Sequence, residues 1–126
     1  MITLALGGSK DSPTRPKVEL TTDDVFHLLS NSRRRAILLI LMDNGPLSKR
    51  ELGNRVASRE LDKPIEQLRS KDTQSVRVSL HQNHLSRMDD KDVIEIDHDT
   101  ISLGPNANEL SKHLEQDSLV RRLLPF

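Results

Sequence analysis

The run SVRVSLHQNHLSRMDDKDVIEID, residues 75 to 97, constrains the fold more than any other part of the chain. Its first half carries apolar residues at helical spacing and its second half at strand spacing, so a helix must hand over to a strand within a few residues. At about 100° per residue, Val78, His81, Leu85 and Met88 share one stripe, while Ser75, Ser79, Gln82 and Ser86 share another roughly 120° around. The spacing predicts a helix over about 72–89 whose first stripe is core and whose second is a small, polar outer face. Val76 and Leu80 fall on a third side, to be covered by a connecting loop or a partner.

Beyond that helix, Ile94-Glu95-Ile96 and Ile101-Ser102-Leu103 alternate with period two around Asp97-His98-Asp99-Thr100, which reads as a two-stranded hairpin. Upstream, Thr21 with Asp24 three residues on forms a capping box for a first helix that buries Val25, Phe26, Leu28 and Leu29. Ser30-Asn31-Ser32 breaks that helix and offers a new cap. A second helix, Arg33 to about Asn44, is almost wholly apolar from Ala36 to Met42, so it is central or covered by a second subunit; Asn44-Gly45-Pro46 ends it. Ser48 as N-cap, Glu51 at N3 and the pair Leu47 and Leu52 predict a third helix, with Leu52, Val56 and Ala57 inward and Lys49, Arg50, Arg55 and Arg59 outward. Residues 61–71 contain Pro64 and lack a period, so they read as a loop with at most one helical turn. Gly104-Pro105 opens a last amphipathic helix carrying Leu110, Leu114, Val120, Leu123 and Leu124.

Composition narrows the function. A chain of 126 residues supports one domain with one core. Aromatics make up 2% of it, Phe26 and Phe126 alone, so the core is aliphatic. There is no cysteine, which removes disulfides, thiol chemistry and Cys-based zinc sites and makes a reducing, cytoplasmic interior the expectation. The longest apolar stretch, Ala36 to Met42, is too short to cross a bilayer. Net charge is zero but polarised: twelve Lys/Arg face six Asp/Glu between Arg33 and Arg87, while six acids face one lysine between Asp89 and Asp99. The chain divides into a Gly/Ser/Pro-bearing flexible tail (1–19), a main domain (20–104) and a C-terminal helix (105–126).

The order helix, helix, short basic helix, polar-faced helix, hairpin, helix is that of a winged helix-turn-helix, mainly α with a small β-hairpin, plus an additional C-terminal helix. The stretch HLSRMDDKDVIEID resembles the end of the recognition helix and the start of the wing in ArsR-like regulators. The fuller pattern, DDVFHLLSNSRRRAIL followed by VSLHQNHLSRM and VIEID, looks like a family of small winged-helix proteins of haloarchaea, over about Thr22 to Leu103. An excess of Arg over Lys and Asp over Glu, twelve to seven in each case, fits that salt-loving setting. Against that pattern Gln82 stands where histidine is common, Ser86 where proline is, and Asp92 where glycine is.

Residue chemistry then points to double-stranded DNA. A helix in the major groove needs short or amide side chains outward, and Ser75, Ser79, Gln82, Asn83 and Ser86 meet that need. Ser48, Lys49, Arg50, Arg55, Arg59 and Arg77 are expected at phosphates. Arg33-Arg34-Arg35 sits at a helix start, where the dipole disfavours cations, so either phosphate or acids such as Asp24 and Asp43 must offset it. Ile37, Leu41, Leu110, Leu114, Val120, Leu123 and Leu124 are expected to pair two copies. His81 and His84 form a half metal site on a helix, but His81 falls on the core stripe, so packing is the expectation and no metal or cofactor is implied. No phosphate loop, nucleophile elbow or carboxylate dyad supports an enzyme. The acidic hairpin tip favours a second reading, a winged-helix module that binds another protein and no DNA.

Overall fold

The computed structural model describes residues 17–114, and these build three packed helices, a long helix, a small sheet and a further helix. The first is α1 (Thr22–Leu29). The Thr21 hydroxyl accepts the Asp24 N–H at 3.0 Å and the Asp24 carboxylate accepts the Thr21 N–H at 2.9 Å, the reciprocal box its sequence prescribes. Then α2 (Ser32–Asn44) begins where the Asn31 side chain accepts the N–H groups of Arg33 and Arg34. It runs through the middle of the core, with Ile37, Leu38 and Leu41 fully inside, and ends at Gly45, whose φ of +79° a side chain would strain.

After β1 (Leu47–Ser48) comes α3 (Lys49–Leu61), capped by Ser48, whose hydroxyl accepts the Glu51 N–H. Leu52, Val56 and Ala57 are buried as their spacing requires. A 3-10 turn (Ile65–Gln67) lies within the loop that follows. The long helix then runs as α4 (Ser70–Ser79), a π-helical turn (Leu80–His84) and α5 (Leu85–Asp90). The strands β2 (Ile94–Asp97) and β3 (Thr100–Leu103) form the hairpin, and α6 occupies 107–114.

The hairpin is part of a three-stranded antiparallel sheet in the order β1-β3-β2, with Leu47 opposite Ile101 and Ile96 opposite Ile101 on the other side. A two-residue strand leaves no periodic trace, so β1 has no sequence signal. Ile94 and Ile101 point into the core and clamp the sheet against the helices. Among the described residues no helix is long and apolar enough to cross a membrane.

Two expectations change. Residues 17–19 do not belong to a free tail: the Val18 N–H donates to Asp92 at 2.7 Å and the Val18 carbonyl accepts from Asn106 at 2.5 Å. Asp92 holds this clamp from a left-handed backbone, φ +57°, a conformation that glycine adopts more readily than other residues. The second change concerns the long helix. Its core side is Val76, Leu80, His84, Leu85 and Met88, whereas Val78 and His81 are exposed. The Leu85 N–H bonds the Leu80 carbonyl five residues back, so the π turn inserts one extra residue and slips the phase. Below the turn Leu85 and Met88 are core as predicted. Above it the inward position moves back, by one from His81 to Leu80 and by one or two from Val78 to the half-buried Arg77 and the buried Val76.

Candidate nucleic-acid interface

The outer face of the long helix is set by that phase. Lys71, Gln74, Ser75, Val78 and Gln82 are all exposed and recur at intervals of three and four, on the side opposite Val76 and Leu80. Of the residues singled out from the sequence, Ser75, Gln82, Asn83 and Ser86 are exposed and Ser79 is half-buried. Lys71 lies just before the predicted helix start at about 72, Val78 falls on the predicted core stripe and Gln74 on neither stripe, whereas the i, i+3, i+4, i+7 spacing of Lys71, Gln74, Ser75 and Val78 marks them as one face.

The basic residues of α3 divide by what they already touch. Arg50 and Arg59 are exposed. Lys49 is half-buried, and its N–H donates to the Asp99 carbonyl at 2.9 Å, which ties the hairpin tip to the start of α3. Arg55 pairs with Glu51 at 3.2 Å, and the Ser48 oxygen accepts the Glu51 N–H as the helix cap, which leaves its O–H to donate. The Arg77 stem lies across Gly53 of α3, so closely that a Cβ there would overlap it. The missing side chain at Gly53 lets α3 and α4 approach with the Arg77 stem between them.

Arg33-Arg34-Arg35 is offset in two ways, Arg33 by an acid other than those named and Arg34 and Arg35 by the carbonyls that end α1. The last carbonyls of a helix lack internal partners and carry the negative end of its dipole. Arg34 donates to the carbonyls of His27 at 2.7 Å and Leu28 at 3.1 Å, and Arg35 donates to that of Leu29 at 2.6 Å. The start of α2 therefore caps the end of α1. Arg33 forms a two-pronged pair with Glu60 of α3, not with Asp24 or Asp43; Asp24 pairs with Lys91 at 3.2 Å. Arg34 is 6% exposed, so it cannot meet a phosphate; burial first, then the nearby Arg87, lowers its pKa from the ordinary arginine value.

His84 faces this cluster from the π turn. Its Nδ1 accepts from Arg34 at 3.3 Å, since a guanidinium has only donors, and the ring is 6% exposed. Burial first, then Arg34, Arg33 and Arg87, push its pKa below 6.5. Among the described residues no three His, Asp or Glu side chains stand together as a metal site.

The expected pairing residues also divide. Ile37 and Leu41 lie wholly within this chain's own core because α2 is its central helix, so they cannot form an interface. Leu110 is equally buried against that core, since α6 packs onto it. Val120, Leu123 and Leu124 lie outside the described residues. Leu114 instead borders a groove of about 420 Å³ between α1 and α6, with Val25, Phe26, Leu29, Arg35 and His113. Phe26, expected in the core, is 70% exposed at its rim.

A basic helix capped at the sheet, a longer helix packed across it and a hairpin tied back to the first make this a winged helix-turn-helix. The family model described as Domain of unknown function (DUF7344) matches residues 26–102, and the chain belongs to that family. No curated protein and no solved structure matches it.

Proposed function

We propose that the protein is a cytoplasmic, homodimeric, sequence-specific DNA-binding regulator of transcription and not an enzyme. The observation that carries this reading is the outer face of the long helix: Gln74, Ser75, Gln82 and Asn83 are exposed, on a helix that packs against α3 with its exposed Arg50 and Arg59. Short and amide side chains allow close approach to base edges, and Arg50, Arg59 and Lys71 supply charge for phosphates. The α1–α6 groove takes the second copy: Phe26 beside its own groove is self-complementary, as a two-fold contact requires, and the sequence after α6 adds the apolar Val120, Leu123 and Leu124. Two long helices so related would meet half-sites about 34 Å apart.

Gel shifts with promoter fragments and random duplex across a salt series test the reading. Binding that weakens linearly with log salt and prefers some sequences is expected; a folded protein that binds no duplex at any ionic strength removes it.

One observation favours a second reading, a module that binds a protein. The hairpin tip presents Asp97 and Asp99, which phosphate repels. Recovery of a stoichiometric protein partner by the folded domain, with DNA binding absent, would select that reading.

A further inference from the structure

Val78 is the anomaly on the outer face. It is 46% exposed, although β-branched and apolar, and it sits opposite the buried pair Val76 and Leu80. Solvent exposure there contributes nothing to folding, so the residue is free to serve an external contact. Its neighbours along the same ridge are amides: Gln74 one turn before and Gln82 one turn after, both exposed, with Ser75 beside them. The arrangement amide, methyl pair, amide matches one pattern of base edges. In the major groove thymine alone presents a methyl group, and adenine presents the N6 donor and N7 acceptor that a glutamine amide bonds in pairs. Reading guanine calls for Arg or Lys at the base edge. On this ridge the only cation is Lys71, in the first turn, and Arg77 is laid over Gly53.

We infer, on the basis of the DNA-binding reading above, that this ridge recognises A·T pairs, with Val78 packed on a thymine C5 methyl and Gln74 and Gln82 on adenines. The half-site therefore contains adenine and thymine at the positions under the middle of the helix. Lys71 approaches the backbone at the head of the ridge.

Selection from random duplexes, followed by replacement of single thymines with deoxyuridine, tests the inference on the full chain. Deoxyuridine removes one methyl and leaves every hydrogen-bonding group in place. One selected position should lose about fourfold in affinity on that replacement, the worth of one buried methyl. Val78→Ala should weaken binding to the thymine duplex by a similar factor and should bind thymine and uracil duplexes equally. Val78→Ser should behave likewise, and both variants should melt with wild-type cooperativity, because Val78 lies outside the core. Selected sites that are G·C throughout, indifference of the wild type to uracil at every position, or discrimination that survives Val78→Ala would each overturn the inference while leaving DNA binding intact. Failure to select any duplex removes the DNA-binding reading itself and this one with it.

Discussion

The guanidinium of Arg34 and Nδ1 of His84 meet at 3.3 Å inside the protein, fifty residues apart in sequence, and join the end of α1, the start of α2 and the π turn of the long helix. The contact demands a neutral imidazole. A proton on Nδ1 would set one donor against another, with Arg33 and Arg87 adding repulsion and only Glu60 opposing it.

That requirement fixes a pH dependence. Well above 6.5 His84 is neutral folded or unfolded and contributes no slope. Below 6.5 the unfolded chain takes up a proton that the native site resists, so stability falls with falling pH until the native site also titrates. Melting temperature followed from pH 8 to 5 should therefore decline, and His84→Asn should decline less steeply. NMR titration of His84 at or above its ordinary value would contradict this.

Arg34 is expected to be structural and irreplaceable by lysine. Arg34→Ala leaves the carbonyls of His27 and Leu28 without a charged donor and should cost about 2–4 kcal/mol in urea unfolding. Arg34→Lys should recover little, because an ammonium cannot span two carbonyls and a ring nitrogen as the planar fork does. Full stability in the lysine variant would show that charge alone suffices.

Gly53 and Arg77 should be coupled. Gly53→Ala introduces a Cβ into the Arg77 stem and should destabilise by about 1–3 kcal/mol. Combined with Arg77→Ala, the same change should cost distinctly less, a non-additivity readable in a double-mutant cycle. Additive losses would mean that α3 and α4 separate in some other way.

Phe26→Glu tests the groove. Light scattering after size exclusion should give a dimer for the wild type and a monomer for the variant, with unchanged far-UV circular dichroism, because Phe26 carries no core contact to lose. A wild type that stays monomeric up to the millimolar range would remove the second copy from this surface.

Local chemistry made much of the fold legible. Thr21, Asp24, Asn31 and Ser48 announce helix starts because each satisfies an orphan N–H within three residues. Ile94 and Ile101 announce the hairpin because its faces differ. The outer face was harder. A phase calculation assumes a uniform helix, and the π turn adds its residue for tertiary reasons, to bring His84 and Leu85 inward together. The arginine triplet was legible as an electrostatic problem, whereas its solution depended on α1 ending beside α2, which no periodicity encodes.

Both polar groups of the Val18 backbone are held, one by Asp92 and the other by Asn106, and Asn106 also donates to the Lys91 carbonyl at 2.8 Å. The chain thus arrives at the foot of the hairpin, where β2 begins and α6 is about to start. A pull on the chain at Val18 would therefore act first on Asp92 and Asn106, the residues that lead into β2 and α6.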